Sequence, residues 1–173
     1  ARLTGMERTL FDEEHEMFRS AFRSFLEKEV VPRNEEFDRA GIVSRDVWTS
    51  AGASGFLAFA VPEEFGGAGV RDFRYNAVVA EEMCQADAFA STTGITLHND
   101  VTLPYFLDYT NDEQKARWLP GMVDGSLITA VAMTEPGIGS DLASMTTTAR
   151  RDGDHYVVNG AKTFITNGIN SDL

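Results

Sequence analysis

The stretch Ile128–Asp141, ITAVAMTEPGIGSD, decides how the rest of the chain is read. Its first half, Ile128 to Thr134, is β-branched or small and apolar and carries no charge, the pattern of a buried strand. Its second half, Glu135-Pro136-Gly137-Ile138-Gly139-Ser140-Asp141, cannot continue that strand. Proline removes a ladder donor, and two glycines free the backbone for close approach to something else. The pattern predicts a stiff strand delivering the Thr134 hydroxyl, then a loop of exposed N–H groups, then Ser140. Such an arrangement holds a planar cofactor with a polar edge, or an anion, without positive charge. Gly137-Ile138-Gly139 does not complete a dinucleotide fingerprint, because Leu142 stands where a third glycine is required and no βαβ unit surrounds it. By itself the stretch reads equally as a turn whose glycines serve only strand geometry.

The downstream segment Thr146–Gly168, TTTARRDGDHYVVNGAKTFITNG, adds a second element of the same kind. Asp152-Gly153 and Asn159-Gly160 are hairpin signals, and strands are expected over Thr146–Arg150, His155–Val158 and Lys162–Thr166. In a strand, Phe164 and Thr166 share one face, so an aromatic–hydroxyl pair is expected beside the Thr134 strand.

TEPGIGSD, followed about twenty residues on by NGAKTFITNG, resembles the signature of the acyl-CoA dehydrogenase family of flavoproteins. VPEEFGGAG (61–69) and TNDEQKARWLP (110–120) resemble further family motifs, in order and at family-like spacing over essentially the whole chain. The resemblance implies an α+β fold: an all-α N-terminal domain, placed here at 1–125, and the first strands of an antiparallel, barrel-like domain at 126–173. It places the family's C-terminal helical bundle, with the catalytic glutamate, beyond Leu173, so no catalytic residue is assigned here and this stretch alone is expected to be inactive. A meander that stops at Leu173 also leaves half a sheet, which reads as a fragment.

The activity implied is FAD-dependent α,β-dehydrogenation of a fatty acyl-CoA. Thr134 matches the hydroxyl that donates to the flavin edge, with Val131, Ala132 and Met133 as neighbours. Thr166 matches the residue bonding near the flavin N5, next to Ile165, and Phe164 stands where many members carry tryptophan. Gly139 and Ser140 match the loop that touches the CoA and flavin phosphate region. The acyl chain is implied beside Thr93, Gly94 and Leu97, and LHND (97–100) resembles long-chain members. The partners implied are the acyl-CoA substrate, an electron-transfer flavoprotein as acceptor, and further copies of the chain in a dimer or tetramer. A related flavin oxidase or monooxygenase, or a non-catalytic binding or assembly module, are the alternatives.

Composition sets outer limits. The 173 residues suffice for one large or two small domains with a real core. A net charge of −12 argues against nucleic acid and anionic membrane surfaces, and no apolar run reaches a membrane span. No secretory signal is read at the N-terminus. Cys84 is the single cysteine, which excludes an internal disulfide, and no Cys/His spacing suits a metal. The setting expected is intracellular: cytoplasm in a bacterium, mitochondrial matrix in a eukaryote.

Along the helical part, Thr9-Leu10-Phe11-Asp12 resembles a capping box, and Phe11, Phe18, Phe22, Phe25 and Leu26 form a core stripe up to Pro32. His15 among Glu13, Glu14 and Glu16 reads as a solvated face, since adjacent helical residues diverge. Ser44 caps a short helix carrying Val47, Trp48 and Ala51. The loop Pro62–Gly69 lacks the lysine of a phosphate loop. Asp72 caps a helix to about Ala86, with Ala77, Val78 and Met83 inward and Glu81 and Glu82 solvated. Phe89–Tyr109 is nearly uncharged, and Ser91–Gly94 weaken its helix; they either wall an acyl pocket or permit tight helix packing. His98-Asn99-Asp100 is no triad, because consecutive helical positions diverge by roughly 100°. A second capping box at Thr110–Glu113 opens a helix expected to end near Pro120-Gly121.

Overall fold

The computed structural model describes residues 9–173. Helix α1 (Glu13–Phe25) is capped by Asp12 rather than Thr9, because the His15 ring reaches back: the Asp12 N–H donates to His15 Nδ1 at 3.2 Å. Glu13, Glu14 and Glu16 fill the first turn, where the exposed N–H groups favour negative charge. The helix then widens into a π turn at Leu26–Val30 and tightens at Val31–Arg33. Pro32 lies in that run and has no N–H to return to the preceding turn, so the ladder is interrupted there. Helices α2 (Asn34–Ala40), α3 (Arg45–Ala53), α4 (Arg74–Gln85) and α5 (Phe89–Thr96) follow. A second π turn (Leu97–Thr102) leads into α6 (Leu103–Tyr109) and then α7 (Asp112–Asp124).

Helix α7 starts at Asn111, whose side chain exchanges hydrogen bonds with Gln114 at 2.9 and 3.0 Å. It runs through Pro120 to Gly125, a turn beyond the expected end. Buried Leu119 and Met122 anchor that last turn, and the Leu127 N–H donates to the Gly121 carbonyl at 2.9 Å. Gly125 closes the helix at φ +78°, where a Cβ would also meet the Trp48 backbone.

The aromatic stripe of α1 is core, as expected. Phe22 is fully buried and meets Phe56 edge-on at 5.0 Å and 77°. Trp48, Met83, Ile95 and Ile128 complete this cluster, and a smaller one forms around Leu103, Leu119 and Met122.

The extended part is less regular than the sequence pattern suggested. One antiparallel hairpin forms, β1 (Thr148–Asp152) with β2 (His155–Asn159), in the register Thr148↔Asn159 to Asp152↔His155. Gly153-Asp154 is its two-residue turn, with Gly153 at φ +64°. Two strands are the only ones among the described residues, and they do not close a barrel. Ile128–Thr134 and Lys162–Thr166 were expected as strands but make only isolated cross-links. The cause in the second segment is local: Phe164 and then Asn167 have left-handed φ values, +55° and +64°, which a ladder cannot accommodate.

Two readings of solvated side chains, one acid and one histidine, are corrected. Glu82, on α4, is buried: Arg23 donates to it at 2.7 and 3.0 Å and Arg19 at 3.0 Å. Arg19 also reaches Glu81 at 2.9 Å. The two arginines lie one turn apart on α1, so their side chains converge on the facing helix. His15 is buried as well, its ring 4.4 Å from that of Tyr75 and its Nε2 3.4 Å from Asp72. Burial opposes ionisation of Glu82, but the bonds from Arg23 and Arg19 outweigh it and hold the carboxyl below the ordinary range. A depressed carboxylate stabilises the fold above its unfolded pKa of about 4.3 and loses that contribution as pH falls through the lower folded value. Glu82→Ala takes the carboxylate from half-exposed Arg23 and leaves Arg19 with Glu16 and Glu81, and is expected to cost about 1.5–3 kcal/mol, read as a fall in unfolding free energy at neutral pH. The difference from wild type should shrink on acidification below about pH 4.

Candidate functional site

The join between the helices and the extended segments is built from buried polar groups. Thr129 is fully buried and its hydroxyl lies 2.9 Å from His98 Nδ1 and 2.5 Å from the Thr102 hydroxyl. His98 Nε2 lies 3.0 Å from the Met122 carbonyl, which can only accept, so Nε2 carries the proton and Nδ1 accepts from Thr129. Burial pushes the imidazole down to about 4, against a small opposing effect of the Met122 bond, so the ring is neutral at physiological pH. Asn99 turns elsewhere, accepting from the Ala58 N–H at 2.7 Å and donating to the Phe56 carbonyl at 2.9 Å. Asp100 accepts from Asn76. The three consecutive polar residues therefore go three ways and form no triad.

The turn after Thr166 is held against the same join. Asn167 Nδ2 donates to the carbonyls of Gly94, at 3.1 Å, and Thr129, at 3.0 Å. A Cβ on Gly94 would run into Oδ1 of Asn167 and lie 3.1 Å from Cζ2 of Trp48, so glycine here permits close packing of helix against turn. Arg45 donates to the Asn170 carbonyl at 2.8 Å and to Asp172 at 2.7 Å. Between these contacts lies a cavity of about 510 Å³ lined by Trp48, Thr93, Gly94, Ile165, Thr166 and Asn167, among others. The fold thus brings Thr93, Gly94, Ile165 and Thr166 together from opposite parts of the chain. Leu97 is half-buried in the π turn and does not line this cavity.

Val131–Thr134 run alongside the second segment, with the Thr163 N–H donating to the Thr134 carbonyl at 3.0 Å. The sequence TEPGI closes a tight turn in which Glu135 and Ile138 exchange backbone bonds at 3.1 and 3.2 Å. Gly139 and Ser140 lie exposed beyond it, away from the cavity. Phe164 is 91% exposed, so its ring lies on the surface of this chain rather than over a strand face. The hydroxyls of Thr134 and Thr166, and the N–H groups of Val131–Thr134, Ile165 and Thr166, take part in no hydrogen bond within the described residues. A row of unpaired donors on two adjoining half-buried segments fits the polar edge of a flavin.

Asn167, Glu135 and Lys162 escaped the reading from sequence. Asn167 was legible only as a turn residue, and Glu135 only as an end to the strand. The signal present in the sequence was a lone acid directly after an uncharged run, a position where a carboxylate needs a partner. No group of three His, Cys, Asp or Glu among the described residues makes a metal site.

Two outcomes follow from the join. Gly94→Ala should displace Asn167 and destabilise the protein by about 1–3 kcal/mol; in that background Asn167→Ala should add little, a non-additivity read from a double-mutant cycle of unfolding free energies. His98, depressed from its unfolded value of about 6.5, stabilises the fold fully above that pH and loses the contribution, of order 3 kcal/mol, as pH falls through about 4. Its imidazole ring-proton resonance should therefore stay fixed between about pH 8 and 5, and a shift there would contradict a neutral buried ring.

The comparisons with known proteins agree with this architecture. The description "Acyl-CoA dehydrogenase, N-terminal domain" matches residues 12–126, and "Acyl-CoA dehydrogenase, middle domain" matches 130–173. The chain is 44% identical to the mitochondrial long-chain specific acyl-CoA dehydrogenase of Rattus norvegicus over 96% of its own length and 38% of that protein's. It thus spans well under half of the curated relatives it matches. Among solved structures, the acyl-CoA dehydrogenase of Geobacillus kaustophilus is 51% identical with a TM-score of 0.89, over 96% of this chain and 43% of that one. An acyl-CoA dehydrogenase from Bacillus anthracis, complexed with FAD, is 38% identical with a TM-score of 0.80, over 96% of this chain and 29% of that one. With two consecutive domain descriptions spanning nearly all of its residues, the chain belongs to the acyl-CoA dehydrogenase family.

Proposed function

We propose that the protein containing this sequence is an FAD-dependent dehydrogenase that introduces an α,β double bond into a fatty acyl-CoA. Residues 1–125 would form its helical domain and 126–173 the start of its β domain. The observation that carries the reading is the meeting of Thr93 and Gly94 with Ile165 and Thr166 on one cavity, beside a row of unpaired donors. When bound, FAD supplies the hydride acceptor. The chain's own residues then have three tasks. Thr134, Thr166 and the N–H groups of Val131, Ala132, Met133 and Ile165 would hold the flavin by its polar edge, as fixed donors of the kind that favour negative charge. Trp48, Thr93 and Gly94 bound the space for an acyl chain and exclude water, with Leu97 one turn further on. Gly139, Ser140 and Phe164, on exposed surfaces, would be free to meet cofactor or CoA.

No proton acceptor is assigned to this stretch. Among the described residues, Asp38 is the one carboxylate lining the cavity, and it is exposed. A long-chain substrate accords with the likeness to the rat long-chain enzyme. An electron-transfer flavoprotein is the acceptor proposed, and the assembly a dimer or tetramer of this chain. No described helix is long and apolar enough to cross a membrane. The named mitochondrial relative supports a matrix location if the source is a eukaryote, and for a bacterial source the location proposed is the cytoplasm.

The test is anaerobic mixing of the flavin-loaded protein with an acyl-CoA series, following loss of the oxidised flavin absorbance. Wild type should be bleached by long-chain substrates. Thr166→Val, which replaces a hydroxyl with a methyl of similar shape, should retain FAD but slow the bleaching by up to about 10²-fold, the effect of losing one preorganised donor. An unchanged single-turnover rate would remove Thr166 from the flavin edge.

A further inference from the structure

Glu135 is 4% exposed and stands at the junction of three chain segments. Its Oε2 accepts from the Thr146 N–H at 2.8 Å and the Thr146 hydroxyl at 2.6 Å. Its Oε1 accepts from the Thr147 N–H at 2.9 Å and Lys162 Nζ at 3.0 Å. Lys162 Nζ also donates to the Met133 carbonyl at 3.1 Å, the residue just before Thr134. The next residue along, Thr163, donates its N–H to the Thr134 carbonyl. No ladder joins 133–135 to 162–163, so that single backbone bond is their only main-chain tie. One carboxylate and one ammonium group therefore do what a row of ladder bonds does elsewhere.

We propose that Glu135 and Lys162 are a paired clamp of positioning residues, which orients Met133-Thr134 and the segment leading to Thr166 so that their donors face the flavin. The inference rests on the flavin reading given above. The chemistry favours orientation over simple cross-linking for two reasons. The pair is largely withdrawn from water, with side-chain exposures of 20% for Lys162 and 4% for Glu135, and four further hydrogen bonds, to Thr146, Thr147 and Met133, restrain its geometry. Lys162 also grips a backbone carbonyl directly adjacent to the residue whose hydroxyl is to donate, so a shift of the ammonium group moves the Thr134 peptide plane itself. Hydrogen bonds from Thr146 above all, joined by those from Thr147, hold the Glu135 carboxyl well below the ordinary range, so it remains an acceptor for all its donors at physiological pH. Neither side chain is proposed to touch the reacting atoms.

The experiment uses the FAD-loaded full-length protein, with Lys162→Met, Glu135→Gln and the double variant. Kd for FAD is measured by quenching of flavin fluorescence, beside the visible absorption bands of the bound flavin. Each single variant should raise Kd about tenfold or more and shift the bands, as the donors move relative to the ring edge. The double variant should bind no worse than the weaker single, because either change releases the same clamp. Phe22→Leu, in the remote core, should lower stability and leave both readouts unchanged. Lys162→Gln, which keeps a donor but loses the charge, carries the same expectation and replaces Lys162→Met if that variant does not fold. Wild-type affinity and bands in the folded single variants would overturn the clamp, as would losses that simply multiply in the double variant or recur in Phe22→Leu. Wild-type protein that takes up no FAD would overturn the flavin reading and the clamp together, which separates the two failures.

Discussion

Buried Thr129 ties the extended segments to the helices. Its hydroxyl bonds the buried imidazole of His98 and the hydroxyl of Thr102, while its carbonyl accepts from Asn167. Through His98 it reaches the Met122 carbonyl at the end of α7, and through Asn167 it reaches Gly94 on α5. One residue thus links two helices, a π turn and the turn that follows Thr166. All of these groups are buried or half-buried, so an unmade bond would leave a polar atom with neither protein nor water as partner. That penalty, larger than the gain from each bond, is what holds the extended segments in one place against the helices.

The cavity follows from this constraint. Gly94 lacks a side chain at the point where Asn167 enters, and the Ile165–Asn170 turn lies over α5 as a result. Pocket wall and close packing, the two roles open for the small residues of α5, are therefore not exclusive. Gly94 is needed for packing, and that packing brings Thr93 to the same cavity as Thr166. The π turn at Leu97–Thr102 serves the same end by directing His98 toward α7 and Asn99 toward the Phe56–Ala58 loop.

The places where sequence pattern and structure part company share one cause. Glu82 and His15 sit on helical faces that look polar, yet each is covered by a neighbouring element that supplies its partner: Arg19 and Arg23 for one, Tyr75 and Asp72 for the other. Periodicity marks where apolar residues gather, but a polar residue covered by another helix has the same periodicity as one in water. The strands fail for a related reason. Alternation in Lys162–Thr166 is consistent with a strand, but only a paired neighbour makes it one, and the left-handed turn at Phe164 points the ring outward.

What the sequence by itself determined is what local chemistry and motif order can carry. The α1 core stripe, the Ser44 start of α3, the hairpin at Asp152-Gly153 and the family itself were legible, because each depends on residues close together in the chain or on an ordered set of motifs. Only the tertiary structure decided how the site is assembled. The Glu135–Lys162 pair spans 27 positions and the Asn167–Gly94 bond 73, and neither separation leaves a trace in a local pattern. Such contacts arise when helices and turns have already packed, since burial is what makes each polar partner obligatory.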